Sequence, residues 1–171
     1  RADMKFLADS SLGRLSRWLR ILGHDTAYWR GDADRAFLRL AEKEGRVALT
    51  RCKDILARQH PGTVLFVKSD RVEDQIAEVR ARLDLPLRPD AFFTICLECN
   101  VPLREVSRDQ VRPAIPDYVY RTQHEFRRCP ACGRLFWRGS HVARMARLLE
   151  RAVDASNGWK DKEMIADECT G

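Results

Sequence analysis

Apolar residues fall into short runs and helical stripes that alternate through the first ninety positions. The segment Met4 to Ala8 has the length of one buried strand. It leads into Leu12, Leu15, Trp18, Leu19 and Leu22, the spacing of one helix face, with Gly23 placed to end the helix. Asp25 to Trp29 fits a second short strand. Asp34 can cap a helix whose apolar positions are Phe37, Leu38 and Ala41, closed by Gly45. Val47 to Thr50 predicts a third strand, Ile55 to Arg58 a short helix, and Val64 to Val67 a fourth strand. Ile76, Val79 and Leu83 mark a helix that stops before Pro86, since the residue before a proline disfavours helix. This alternation predicts an α/β fold, a parallel sheet covered by helices on both faces.

Leu85 to Pro89 reads as a linker, which separates a first unit, 1–88, from a second, 91–153. The second holds paired cysteines and scattered prolines, with little helical periodicity until about Ser140. Short strands and loops around a metal are expected there. A helix to Val153 then follows, with Val142, Met145, Leu148 and Leu149 on one face. Residues 154–171 are polar and acidic, and are expected to form a disordered tail.

Composition narrows the class. Of 171 residues, 44% are hydrophobic, enough for a core, and 33% are charged, above the usual ~25%. No apolar run approaches the ~20 residues of a membrane span, and the start of the chain lacks the apolar stretch of a signal peptide. The sequence therefore predicts a soluble, cytoplasmic protein with no membrane partner. Net charge is +6; residues 91–153 carry 11 Lys/Arg against 6 Asp/Glu, whereas 154–171 carry 2 against 5. A basic body favours polyanions, because each neutralised phosphate releases counterions. Many small basic proteins never meet nucleic acid, so charge alone does not decide.

Cys96-x-x-Cys99 and Cys129-x-x-Cys132 stand 29 residues apart. Two such knuckles can give one tetrahedral zinc its four thiolates, a closed and therefore structural site. Gly133 suits the tight turn after the second pair, and the long gap leaves room for an extra hairpin. The alternative is two redox dithiols, which would not need the pairs to meet. Cys52 and Cys169 are not required for zinc.

Every expected strand end carries an aspartate at or just after it: Asp9, then Asp32 and Asp34, then Asp54, then Asp70. Ligands of a parallel α/β sheet bind beyond the carboxyl ends of its strands. Clustered carboxylates repel unless a cation lies among them, and hard oxygen ligands suit Mg²⁺ or Mn²⁺. Such an ion can activate water for phosphodiester cleavage. The plainer alternative is that these aspartates are turn residues or helix caps. Arg14, Arg17 and Arg20 lie on the helix side away from its leucines, where a phosphate chain or bulk water could meet them. His141 can contact phosphate, or cap and pack the last helix.

Phe6-Leu7-Ala8-Asp9-Ser10-Ser11-Leu12-Gly13-Arg14-Leu15 and Trp18-Leu19-Arg20-Ile21-Leu22-Gly23-His24-Asp25 resemble the Mut-seven C-terminal RNase family. So do Leu49-Thr50-Arg51, Cys129-Pro130-Ala131-Cys132-Gly133 and Phe136-Trp137-Arg138-Gly139-Ser140-His141. The resemblance implies a PIN-like nuclease domain followed by a zinc ribbon, hence a Mg²⁺- or Mn²⁺-dependent ribonuclease. RNA, single-stranded RNA included, is the implied partner, with Arg51, Arg138 and His141 joining the helix arginines in holding it. The first acid falls on Asp9 and the second on Asp34, with Asp32 adjacent. The third position, after Thr50-Arg51, holds Cys52, with Asp54 two residues further on. A non-catalytic RNA-binding protein on the same scaffold is the alternative.

Overall fold

The four apolar runs form one parallel sheet: β1 (Phe6–Ala8), β2 (Thr26–Tyr28), β3 (Val47–Thr50) and β4 (Val64–Phe66). Its order is β2-β1-β3-β4. The computed structural model describes residues 3–138 together with 144, 145, 147–149 and 151. His141, Val142 and the tail 154–171 thus lie outside the described residues.

Side chains alternate across the pleat and define two cores. Phe6 and Ala8 pack among Leu12, Leu15 and Leu19 of the first helical segment, which continues as α1 (Gly13–Ile21), and Ile76 and Val79 of α3 (Val72–Leu83). Leu7 and Ala48 turn the other way, onto Phe37, Leu38 and Ala41 of α2 (Arg35–Glu44) and Ile55 of the 3₁₀ turn Lys53–Ala57. Helix α2 has the ends expected of it. Asp34 accepts the amides of Ala36 and Phe37, and Gly45 closes the helix at φ +63°. Gly23 is required twice, by φ +91° and by the carbonyl of Ala91, which would stand 2.5 Å from an added Cβ.

The second sheet is antiparallel, in the order β5 (Arg104–Val106), β6 (Phe126–Arg128), β7 (Leu135–Trp137). The long gap between the knuckles holds the antiparallel pair β5 and β6, and the connection between these strands is a helical insertion, α4 (Arg108–Val111) and α5 (Asp117–Thr122). Ser107 and Gln110 close a reciprocal cap at its start, and Val111, Ile115 and Val119 cover Phe126. Reciprocal capping satisfies two otherwise unpaired amides, which lets so short a helix form.

The two units share a core. Leu85 of the linker is buried with the first sheet. Residues 144, 145, 147–149 and 151 are helical, and Leu149 is buried in the same cluster. Phe93 donates its amide to Ile21, the last residue of α1. Among the described residues, no helix is long and apolar enough to cross a membrane.

Candidate functional site

The strand order reverses between β1 and β3, the place where parallel sheets leave a crevice at their carboxyl ends. Asp9 follows β1 at this point and is almost fully buried. One carboxylate oxygen accepts the Ser11 amide at 2.9 Å and hydroxyl at 2.5 Å. The other accepts the Thr50 hydroxyl at 2.6 Å and the Arg51 amide at 2.9 Å. A carboxylate offers about four lone-pair positions, so all of them are engaged. Ser11 was not expected to take part, although a serine two residues after an aspartate is a familiar Asx-turn partner.

The other acids of this edge differ in what holds them. Asp34 uses one oxygen, Oδ1, to cap α2 and leaves its second without a hydrogen bond among the described residues. Asp32 and Asp54 are exposed, and neither carboxylate has a hydrogen bond or ion pair among the described residues. Asp54 lies in the first turn of the 3₁₀ segment Lys53–Ala57, whose N-cap is Cys52. Cys52 donates its amide to the Thr50 hydroxyl oxygen at 3.0 Å. Asp70 pairs with Arg51 at 2.6 Å. The carboxylates do not converge on one point, for the cluster of three or more metal-ligating side chains found among the described residues is the cysteine group. Mg²⁺ retains much of its water shell and is commonly held by one or two carboxylates, so the free carboxylate oxygens of this edge are of the right donor type, although no three of them come together among the described residues.

Arg51 is a strut. Its guanidinium holds the Ser69 carbonyl and Asp70, while its amide holds Asp9. Behind it, the fully buried carboxylate of Glu78 accepts the amides of Lys68 and Ser69 and meets Arg82 at 3.6 Å. Sequence reading missed Glu78, because a charged residue on a helix is ordinarily solvated.

The arginines of α1 divide in the same way. Arg14 is exposed and unpaired among the described residues, and Arg17 meets Glu98 at 3.4 Å. Arg20 donates to the carbonyls of Thr26 and Leu97, at 2.9 and 2.6 Å, and so ties the sheet to the first knuckle. Arg138 lines a small cleft with Phe93, Glu125 and Trp137 on the second unit.

The four sulfurs of Cys96, Cys99, Cys129 and Cys132 lie within 4.8 Å of one another, with Cys96 and Cys132 at 3.8 Å. Tetrahedral zinc with Zn–S bonds of about 2.3 Å separates its sulfurs by about 3.8 Å, so the donor set fits this ion. The knuckles repeat one backbone design. Asn100 and Gly133, each four residues after the leading cysteine, return their amides to its carbonyl from left-handed conformations, φ +56° and +74°. The thiols compete for protons. Hydrogen bonding with Cys132 pushes Cys99 up to about 12. Burial raises Cys129, but the amides of Cys132 and Ala131 outweigh it and bring that thiol down to about 7.

A family profile, the Mut7-C RNAse domain, matches residues 4–149. The chain belongs to this family. Comparison with curated proteins and with solved structures gives no match. The Mut7-C match spans both the parallel sheet with its acid edge and the cysteine cluster, so both are parts of one family unit.

Proposed function

We propose that this Mut7-C chain is a Mg²⁺- or Mn²⁺-dependent ribonuclease that cuts RNA at the carboxyl edge of the parallel sheet. Asp9, Asp34 and Asp54 are its working acids, with Asp32 and Asp70 at the rim. The observation that carries this reading is the position of Asp9 at the switch point of the sheet, with Thr50 and Arg51 facing it from β3. Asp34 and Asp54, with Asp32, would hold the ion, which would supply water activation and charge for the leaving oxygen. Asp9 orders the ends of β1 and β3 through Ser11, Thr50 and Arg51. Arg51 and Asp70 keep the β4 side of the edge in register. The cysteine cluster holds one structural zinc, and the second unit helps to hold RNA. Cleavage of labelled single-stranded RNA, with and without added manganese, tests the activity.

Two observations favour a second reading, a non-catalytic RNA-binding scaffold: the lone-pair positions of Asp9 are all engaged, and Cys52 stands where an acid is expected. A wild-type chain inert in manganese, with cleavage appearing in Cys52→Asp, selects that reading.

A further inference from the structure

Between α2 and the segment Ala57 to Pro61 lies an open cleft of about 520 Å³. Arg35 and Arg39 line it from the helix and Arg58 from the other wall. All three are exposed, and none has a hydrogen bond or ion pair to its side chain among the described residues. This sets them apart from Arg17, Arg20, Arg46, Arg51, Arg82 and Arg88, each of which is tied to a carboxylate or carbonyl. Glu42 is the carboxylate among the lining residues, so the cleft is basic on balance. Arg35 follows Asp34 directly, and Ala57 ends the 3₁₀ turn that contains Asp54. Two of its lining residues are thus next to, or within three positions of, acids of the sheet edge. Arg35 and Arg39 are separated by about 6 Å along the helix axis, on the scale of one nucleotide step.

We propose that this cleft is a phosphate track for single-stranded RNA, which it leads along α2 away from the acid edge. The assignment rests on the ribonuclease reading for its direction, and on the three free guanidinium groups for its ligand. Guanidinium groups with no internal partner can bind phosphate without first breaking a bond, and their planar forks suit its oxygens. His60 contributes a wall: its Nε2 is buried without a hydrogen-bond partner among the described residues and would stand 2.8 Å from a Cβ on Gly62.

The test is the salt dependence of binding by a fluorescein-labelled oligouridylate, read by anisotropy without added magnesium or manganese. Replacing Arg35, Arg39 and Arg58 together by Ala should make the plot of log affinity against log salt shallower by about 2, near 0.7 for each lost phosphate contact on a single strand. Replacing all three by Lys keeps the charge and should preserve the slope, which separates electrostatics from misfolding. An unchanged slope in the triple Ala variant overturns the track. So does a wild-type chain that binds no oligouridylate, or binds an oligoglutamate peptide more tightly. Cleavage in manganese with an unchanged slope overturns the track alone; a cleft-dependent slope without any cleavage overturns the ribonuclease reading alone.

Discussion

Thr50 donates its hydroxyl to Asp9 at 2.6 Å, across the gap between the two central strands. Together with the amides of Ser11 and Arg51 and the Ser11 hydroxyl, it closes the carboxylate in on every side. In Asp9→Asn one oxygen becomes an NH₂ group that must face either Ser11 or the Thr50–Arg51 pair. A hydroxyl can turn to accept, but a backbone amide cannot. Asp9→Asn should therefore lose about 1–3 kcal/mol of stability, read by urea unfolding, although it preserves shape. A variant as stable as wild type would mean that the Asp9 contacts are not held in solution.

Asn100 joins the two units. Its side chain donates to Asp25 at 2.6 Å and accepts the Thr26 amide at 2.9 Å, while its backbone is left-handed. Asn100→Gly should retain the knuckle and its zinc yet lose about 1–2 kcal/mol with the two hydrogen bonds. Asn100→Ala should be worse by about another 1 kcal/mol, the cost of a left-handed Cβ. Equal stability of the two variants would remove backbone strain from the account.

His24 should make stability fall in mild acid. Burial lowers its proton affinity, and Arg88 lowers it further, with Asp3 opposing; its Nδ1 is buried without a partner among the described residues. The unfolded chain takes up a proton near the ordinary value of about 6.5, whereas the folded chain resists it. Stability from this group is thus present above about pH 6.5 and is lost as pH falls towards the depressed value. His24→Gln should flatten the unfolding free energy between about pH 7 and 5.5. An equally steep curve in the variant would place the titration elsewhere.

The cysteine cluster should hold one zinc per chain, measured by metal analysis of protein purified without chelator. Cys129→Ser should lower zinc content and loosen the second unit, since closed thiolate sites contribute folding energy directly. A disulfide between Cys96 and Cys99, or zinc unchanged in the variant, would count against the site.

The sheet was legible because Phe6-Leu7-Ala8, buried on both faces, and Val64-Leu65-Phe66, with Leu65 buried, are apolar throughout. Helix α2 was legible because Asp34 and Gly45 mark both ends. The cysteines declared themselves by spacing. Partners distant in sequence were not legible: Arg20 meets Leu97, and Glu78 meets the amides of Lys68 and Ser69, only once the chain has folded. For the same reason sequence could not separate Arg51, engaged as a strut, from Arg35, Arg39 and Arg58, left free. The helical insertion was signalled by Ser107 with Gln110 and by the spacing of Val111, Ile115 and Val119, but three prolines nearby obscured it.

The most direct measurement is single-turnover cleavage of labelled single-stranded RNA in manganese by the wild type, Asp34→Asn and Asp54→Asn. Asn caps a helix about as well as Asp, and the Asp54 carboxylate has no partner among the described residues, so both variants should unfold at the wild-type midpoint. The account predicts cleavage that needs the divalent ion and slows by at least about 100-fold in each variant. Wild-type protein inert in manganese, or cleavage unaffected by both substitutions, would contradict it.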